Sequence, residues 1–271
     1  MRLYTIRIVG PHWVDGVKYH PLILVRNMYL YKDWAVVTPM ANEQEGFDSF
    51  TSLLAKIMTD IGSGKVYLVI DNVSKDKTLD LATELSREDQ RFEVVWAPEN
   101  RSVVDAYLKG FQVAYKNQHE LIIEMDAGMS HDPRALPMFL RVLNEGNECA
   151  LGSRFINGGS MGNSPWKRRM LSKNSTFIAN ILLGTKLHDM TSGFQGFHRH
   201  VIEKILDYSL YSTGHFYQTE LRYLLRNRKC FEVPIHYQSP SPRVSKASMR
   251  NAYKTLWRYF TMRLSSNCPA L

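Results

Sequence analysis

Apolar residues follow two different rhythms along this chain. From residue 34 onward, short unbroken apolar runs alternate with longer stretches whose apolar positions recur every three or four residues. The short runs predict buried strands at 34–40, 66–70, 92–96, 120–125, 149–153 and 230–234. The longer stretches predict helices at 47–61, 79–85, 103–115, 133–144, 166–183, 202–208, 218–226 and 247–264. Strands and helices in alternation predict an α/β fold, a mostly parallel sheet covered on both faces, with ligands gathering beyond the carboxyl ends of the strands. Before residue 34 the rhythm is β-like, in runs at 3–9, 22–25 and 28–31 separated by Gly, Pro and Asn, which predicts an N-terminal β extension that a hairpin would suit. The chain thus divides into an extension (1–33), an α/β domain (34–240) and a basic, aromatic C-terminal helix and tail (241–271).

Charge narrows the set of partners. Lys and Arg number 34 against 26 Asp and Glu, a formal +8 that suits a nucleotide, a phospholipid or a nucleic acid, and equally serves solubility. The three cysteines are widely spaced with no CxxC pair, which argues against a disulfide framework or zinc site and fits a reducing cytoplasm. The first residues lack the layout of a signal peptide, and no apolar stretch reaches the roughly 18 residues of a spanning helix. The expectation is a cytoplasmic protein, at most peripheral on a membrane. No G-x-G-x-x-G follows a strand, which disfavours a dinucleotide-binding dehydrogenase.

The ends of the predicted strands carry the candidate chemistry. Pro39, Asn42 and Glu43 follow the first strand, where an amide and a carboxylate can hold a ribose or base edge, or can simply begin the next helix. Asp71 ends the second strand, where a carboxylate needs a donor; Asp76 and Thr78 beyond it read better as a helix cap. Asp126 ends the EMD strand, with His131 and Asp132 close behind as either ligands or caps. Arg154 follows the next strand, and Lys167, Arg168, Arg169 and Lys173 line one helix after a loop containing Gly158, Gly159 and Gly162. That array is a phosphate-neutralising lid or a solvated basic face. Asp189 heads a turn rich in small residues, and Glu220 opens a helix; either carboxylate can serve as a general base, while Glu220 also suits the helix dipole. Arg243 and Lys246 lie in a basic segment near the C-terminus.

Read in order, the segments VVTPMANE, VIDNVSKDKT, EMDAGMSHDP, GSRFINGGSMGNSPWKRRMLSK, HDMTSGFQGFHR, FYQTEL and EVPIHY resemble the family 2 glycosyltransferases of GT-A fold. The likeness spans about residues 34 to 250 and is nearest to the dolichol- and polyprenol-phosphate mannosyl- and glucosyltransferases. It implies an inverting transfer from a UDP- or GDP-linked sugar, with Pro39, Asn42, Glu43, Asp71 and Arg154 around the nucleotide. It also implies Mg²⁺ or Mn²⁺ on Asp126, with His131 as a further ligand; Glu220 and then Asp189 as candidate bases; and Arg168, Arg169, Arg243 and Lys246 over the phosphates and acceptor. Two departures stand out. Gly128 occupies the place of the family's second metal-binding Asp, and Asn72 and Val73 replace its usual Asp and Gly. The resemblance implies a polyprenol phosphate acceptor, with the aromatic basic C-terminal helix and any membrane partner subunit supplying the anchor; a homo-oligomer is the other partner expected. The charge leaves open a hydroxymethylated base in viral DNA, modified in the host cytoplasm, and the departures leave open a non-catalytic nucleotide-binding relative.

Overall fold

A computed structural model describes residues 12–14, 17–19, 31, 33–62, 64–162, 164–238 and 246–271. They belong to two units, one within Met1–Leu30 and one spanning Tyr31–Leu271. In the first, β1 (His12–Val14) and β2 (Val17–Tyr19) pair antiparallel with Val14 opposite Val17. The hairpin lies between the apolar runs that the sequence singles out. The Asp15-Gly16 pair between its strands is a stronger hairpin signal than those runs. Of the runs themselves, 3–9, 22–25 and all of 28–31 but Tyr31 lie outside the described residues.

The larger unit is built on β3 (Trp34–Met40), β4 (Lys65–Ile70), β5 (Phe92–Trp96), β6 (Leu121–Glu124), β7 (Cys149–Ser153), β8 (Gln195–His198) and β9 (Cys230–Pro234). They form one sheet in the order β5-β4-β3-β6-β8-β7-β9. All pairings are parallel except those of β8, which runs antiparallel to both β6 and β7. The mostly parallel sheet expected from the sequence is thus observed, with β8 as its antiparallel member. β8 is four residues, Gln-Gly-Phe-His, too short and too polar to register as an apolar run, although all four are buried.

Strand alternation sorts the core. Val36, Leu68 and Ile123 face one layer, made by α1 (Phe47–Ile61), α2 (Thr78–Glu88) and α4 (Leu136–Asn144), with a 3₁₀ turn Pro133–Ala135 leading into α4. Val37, Val69 and Ile122 face the other, made by α3 (Val103–Lys116), α6 (Arg199–Leu206) and α7 (Tyr217–Leu224). A third cluster joins Ala179 and Leu183 of α5 (Trp166–Leu183), Tyr223 and Leu224 of α7, and Tyr259 of α8 (Lys246–Leu264). The C-terminal helix that composition sets apart is therefore packed into the larger unit.

The sheet's order reverses at β3, with β4 and β5 on one side and β6 on the other. The β3–β6 ladder stops at Val37 opposite Glu124, while β3 runs on beside β4 to Met40 opposite Ile70. A crevice opens there, the place where such sheets bind ligands. Pro39 sits beyond the last β3–β6 pair, so its missing N–H leaves no rung of that ladder empty.

Candidate active site

The loops after β3 and β4 are stitched together. Asn42 adopts a left-handed φ of 57°, which Asn tolerates better than most residues. Its Nδ2 donates to the Val73 carbonyl (3.3 Å) and its Oδ1 accepts from the Lys75 N–H (2.9 Å). The Glu43 N–H donates to Thr78 Oγ1 (2.9 Å) and the Gln44 N–H to Asp76 Oδ2 (3.0 Å). Asn42 thus acts as a tie between loops, with both ends of its amide engaged. Asp71, at the end of β4, accepts from the Val73 N–H through Oδ1 (2.9 Å). Asp76 receives the N–H and hydroxyl of Thr78 at 3.0 and 2.6 Å, in line with a capping role.

Across the crevice, Asp126 follows β6 with its side chain about 33% exposed. Tyr107 of α3 donates its hydroxyl to Asp126 Oδ1 at 2.5 Å, which orients the carboxylate without covering it. Glu43 approaches from the β3 side: burial raises its carboxyl above the ordinary range, and the charges of Asp126 and Asp76 raise it further. Gly128 has φ of +69°, and a Cβ built on it would lie 2.6 Å from Glu43 Oε2. Glu43 thus fills the space in which a side chain at position 128 would begin. Two carboxylates do face each other at this crevice, but one comes from the loop after β3 instead of from the loop after β6.

His131 is not available as the further ligand that the sequence suggests. Its ring is 2% exposed, packed between Phe194 and Tyr237, and its Nδ1 accepts the Asp126 N–H at 3.1 Å. Burial lowers its pKa, so the 3.7 Å approach to Asp126 Oδ2 is that of a neutral ring and not an ion pair. His131 buttresses the Asp126 backbone. No group of three or more His, Cys, Asp or Glu among the described residues is arranged to hold a metal ion.

On the other half of the sheet, both candidate bases are occupied. Asp189 is fully buried and bound by Arg154 through Nε–Oδ2 (2.7 Å), Nη2–Oδ1 (2.8 Å) and the Arg154 N–H (3.1 Å). Burial alone would push its pKa up, but Arg154, Arg222 and the Thr191 N–H outweigh burial and hold it at about 2. A carboxylate held that low is a poor proton acceptor. Glu220 is equally buried: Oε1 accepts from the Tyr211 N–H (2.8 Å) and the Tyr259 hydroxyl (2.7 Å), and Oε2 from the Ser212 N–H (2.8 Å). It fastens α8 to the body of the domain, so its expected place beside the attacking group is corrected.

Beneath the crevice runs a buried polar chain that the sequence did not reveal. Glu124 of β6 accepts from Gln195 Nε2 (2.5 Å) and from the Tyr217 hydroxyl (2.8 Å), and burial raises its pKa to about 8. Arg222 donates to Gln195 Oε1 (3.2 Å) and to the carbonyls of Gly152 (2.9 Å), Ser192 (3.0 Å) and Asp189. A sequence signal existed only for Glu124, an acid inside an otherwise apolar strand. Arg154 lies 8% exposed at the edge of this chain, its guanidinium between Phe155 and Tyr237. Arg168 reaches the Tyr237 ring, and Arg169 Nη2 donates to the Gly162 carbonyl (2.5 Å). Lys246 is exposed at the first turn of α8, and Arg243 lies outside the described residues.

Residues 35–206 match the model of the family described as glycosyl transferase family 2. Polyprenol monophosphomannose synthase of Mycolicibacterium smegmatis is 32% identical over 226 residues, 82% of this chain and 84% of the relative. Undecaprenyl-phosphate mannosyltransferase of Micrococcus luteus is 29% identical over 203 residues, 74% of this chain and 82% of the relative. Glucosyl-3-phosphoglycerate synthase from Mycobacterium tuberculosis, solved with UDP, shares the fold at a TM-score of 0.64 and 14% identity, covering 93% of this chain and 86% of that one. Another structure of it, with Mn²⁺, UDP-glucose and glycerol 3-phosphate, gives 0.59 at 14% identity, covering 96% and 86%. The fold is that of the GT-A glycosyltransferases and the family's match covers most of the chain: the chain belongs to glycosyl transferase family 2.

Proposed function

We propose that this glycosyltransferase moves a sugar from a nucleotide-sugar donor to an isoprenoid phosphate. The acceptor's phosphate oxygen forms the new bond to the anomeric carbon as the bond to the nucleoside diphosphate breaks on the opposite face, inverting that carbon. The electron pair leaves with the diphosphate. The observation that carries this reading is an open cleft of about 510 Å³ between the end of β7 and the start of α5. Arg154, Arg169 and Lys173 line it beside Phe155, Met161, Trp166 and Met170, so cations and apolar side chains share one wall. A phosphate on a hydrocarbon chain matches that mixture, and the names of the two mannosyl-transferring relatives, one polyprenol and one undecaprenyl-phosphate, point the same way. DNA offers phosphates but nothing for the apolar lining, which places it second.

The fate of the candidate bases supports the same choice. A hydroxyl acceptor needs a base, whereas a phosphate arrives already ionised. With Asp189 and Glu220 both buried and engaged, neither stands ready to remove a proton. Catalysis then rests on positioning and on stabilising the departing diphosphate. Asp71 and the loops tied by Asn42 hold the nucleoside in this reading. Asp126 and Glu43 suit a Mg²⁺ or Mn²⁺ that keeps most of its oxygen ligands from the diphosphate and water. When bound, such a cation neutralises charge on the leaving group. No helix among the described residues is long and apolar enough to cross a membrane, so a lipid acceptor is reached from the surface.

The test is transfer from GDP- and UDP-linked sugars to detergent-dispersed isoprenyl phosphate, with the matching isoprenol and hydroxymethylated DNA as competitors. A sugar-phosphate lipid of inverted anomeric configuration is expected, and Lys173→Ala should raise the acceptor KM about tenfold with little change in kcat. Transfer to the isoprenol or to DNA instead would overturn the assignment.

A further inference from the structure

Large apolar side chains are not scattered over the surface of this protein. Of the thirteen that are exposed among the described residues, ten lie on α5 and α8. Trp166 (69% exposed), Phe177 (65%), Tyr253 (69%) and Trp257 (63%) are the largest. On α5 the series Trp166, Met170, Phe177, Ile181 repeats at helical spacing, and Thr176, Ala179 and Leu183 occupy the buried face opposite. On α8 the series Met249, Tyr253, Trp257, Leu264 does the same, opposite buried Thr255 and Tyr259. The two helices lie against one another: Ala179, Leu183 and Tyr259 share a core cluster, and Arg263 Nη1 donates to the carbonyls of Ile181 (2.9 Å) and Leu182 (3.0 Å). Their apolar stripes are therefore held on a packed scaffold and are not the sides of frayed helix ends.

Charge says what covers them. Neither helix contains an Asp or a Glu, while together they carry nine Lys and Arg. Lys167, Lys173, Lys246, Arg250 and Lys254 are exposed alongside the stripes. We propose that the outward faces of α5 and α8 form one docking surface for an anionic phospholipid bilayer, the aromatic and aliphatic stripes entering the headgroup boundary and the cations meeting lipid phosphates. A second copy of this chain is a poor occupant, because self-association through this face would set its cations against their equivalents. Nucleic acid is a poorer occupant than a bilayer, since it would stack on the aromatic rings but leave Met170, Leu171, Ile178 and Ile181 without apolar cover. The surface needs no particular acceptor and so stands apart from the proposed reaction. Trp166 and Met170 nevertheless belong to both the stripe and the cleft, which puts the mouth of the cleft at the bilayer boundary.

The experiment is co-sedimentation of the full chain with vesicles free of any isoprenoid. One set is phosphatidylcholine alone and the other a phosphatidylcholine–phosphatidylglycerol mixture, each at low and high salt. Binding to the mixed vesicles should be at least about tenfold tighter than to phosphatidylcholine and should weaken about tenfold as salt rises. The double variant Phe177→Ser, Trp257→Ser changes two exposed side chains outside the cleft. It should lose binding about tenfold while its melting temperature and its transfer to a detergent-dispersed acceptor stay unchanged. Equal partition of variant and wild type would overturn the proposal, as would a failure to bind either vesicle. A wild-type dimer that the double variant abolishes would overturn it in favour of a protein partner. Vesicles without acceptor separate this result from the acceptor assignment, which detergent assays read alone.

Discussion

The two halves of the sheet treat their carboxylates in opposite ways. At the ends of β3 and β6, Glu43 and Asp126 are only partly buried, and the charge of Asp126 helps to raise the Glu43 carboxyl. Across β8 and α7, Glu124, Asp189 and Glu220 are fully buried and surrounded by donors. The first arrangement leaves negative charge facing an open crevice, where a cation and a diphosphate can share it. The second uses carboxyl oxygens, ionised at Asp189 and protonated at Glu124, to fix buried arginine, glutamine, tyrosine and loop N–H groups in place. Conspicuous acids at turn and helix starts are therefore no guide to catalysis here; what separates the halves is whether lone pairs remain for a ligand.

Exchanging an acid for its amide in each half breaks the comparison most severely. Asp189→Asn leaves Arg154 and Arg222 buried without their anion and should cost about 3–5 kcal/mol, read from urea denaturation. Asp126→Asn should leave the urea midpoint almost unmoved and lower kcat/KM by at least about a hundredfold. If the two effects were interchanged, the division would be wrong. Glu220→Gln comes next. It replaces an acceptor of three hydrogen bonds by a group that must turn an NH₂ toward a donor, so a loss of about 1–3 kcal/mol is expected. The activity of its folded fraction should stay within a few-fold of wild type, whereas loss of a general base would lower it by about a hundredfold or more.

Glu124 gives a pH signature. Its raised folded pKa means that between the ordinary carboxyl value of 4.5 and about 8 the folded protein holds a proton that the unfolded chain has released. Stability from this group is thus complete below 4.5 and declines as pH rises to about 8, by up to about 1.4 kcal/mol per pH unit. Chemical denaturation across that range should show Glu124→Gln removing the slope. The smallest effect sharpens the donor side. Gly128→Asp restores the acid usual at this position in the family, yet it must place a Cβ 2.6 Å from Glu43 Oε2 at a φ of +69°. Nucleoside diphosphate affinity in Mn²⁺, by calorimetry, should fall about tenfold, with partial recovery when Glu43→Gln is added.

Much of the donor half was legible because its signals are local. WAVVTPM and the helix Phe47–Ile61 appear where periodicity predicts them, since a buried strand and an amphipathic helix each write their own pattern. Asp71 and Asp126 stand at strand ends for the same reason. β8 was hidden because four residues with a glycine make no period, and its antiparallel direction depends on neighbours far away in the chain. The sequence left His131 open between ligand and structural roles even at a distance of five residues: its nitrogen faces the Asp126 N–H, a matter of rotamer and packing that spacing does not encode.

The sequence alone determined the α/β layering, the strand ends that bear acids and the family to which the chain belongs, because each follows from residues close together in the chain. Tertiary structure alone decided the role of each acid. Glu43 meets the place of a missing side chain at 128, Asp189 meets Arg154 across 35 positions, and Glu220 meets Tyr259 across 39. Whether a carboxylate is a ligand or a strut depends on the donors that folding brings to it, and those donors lie at sequence distances no local pattern reaches.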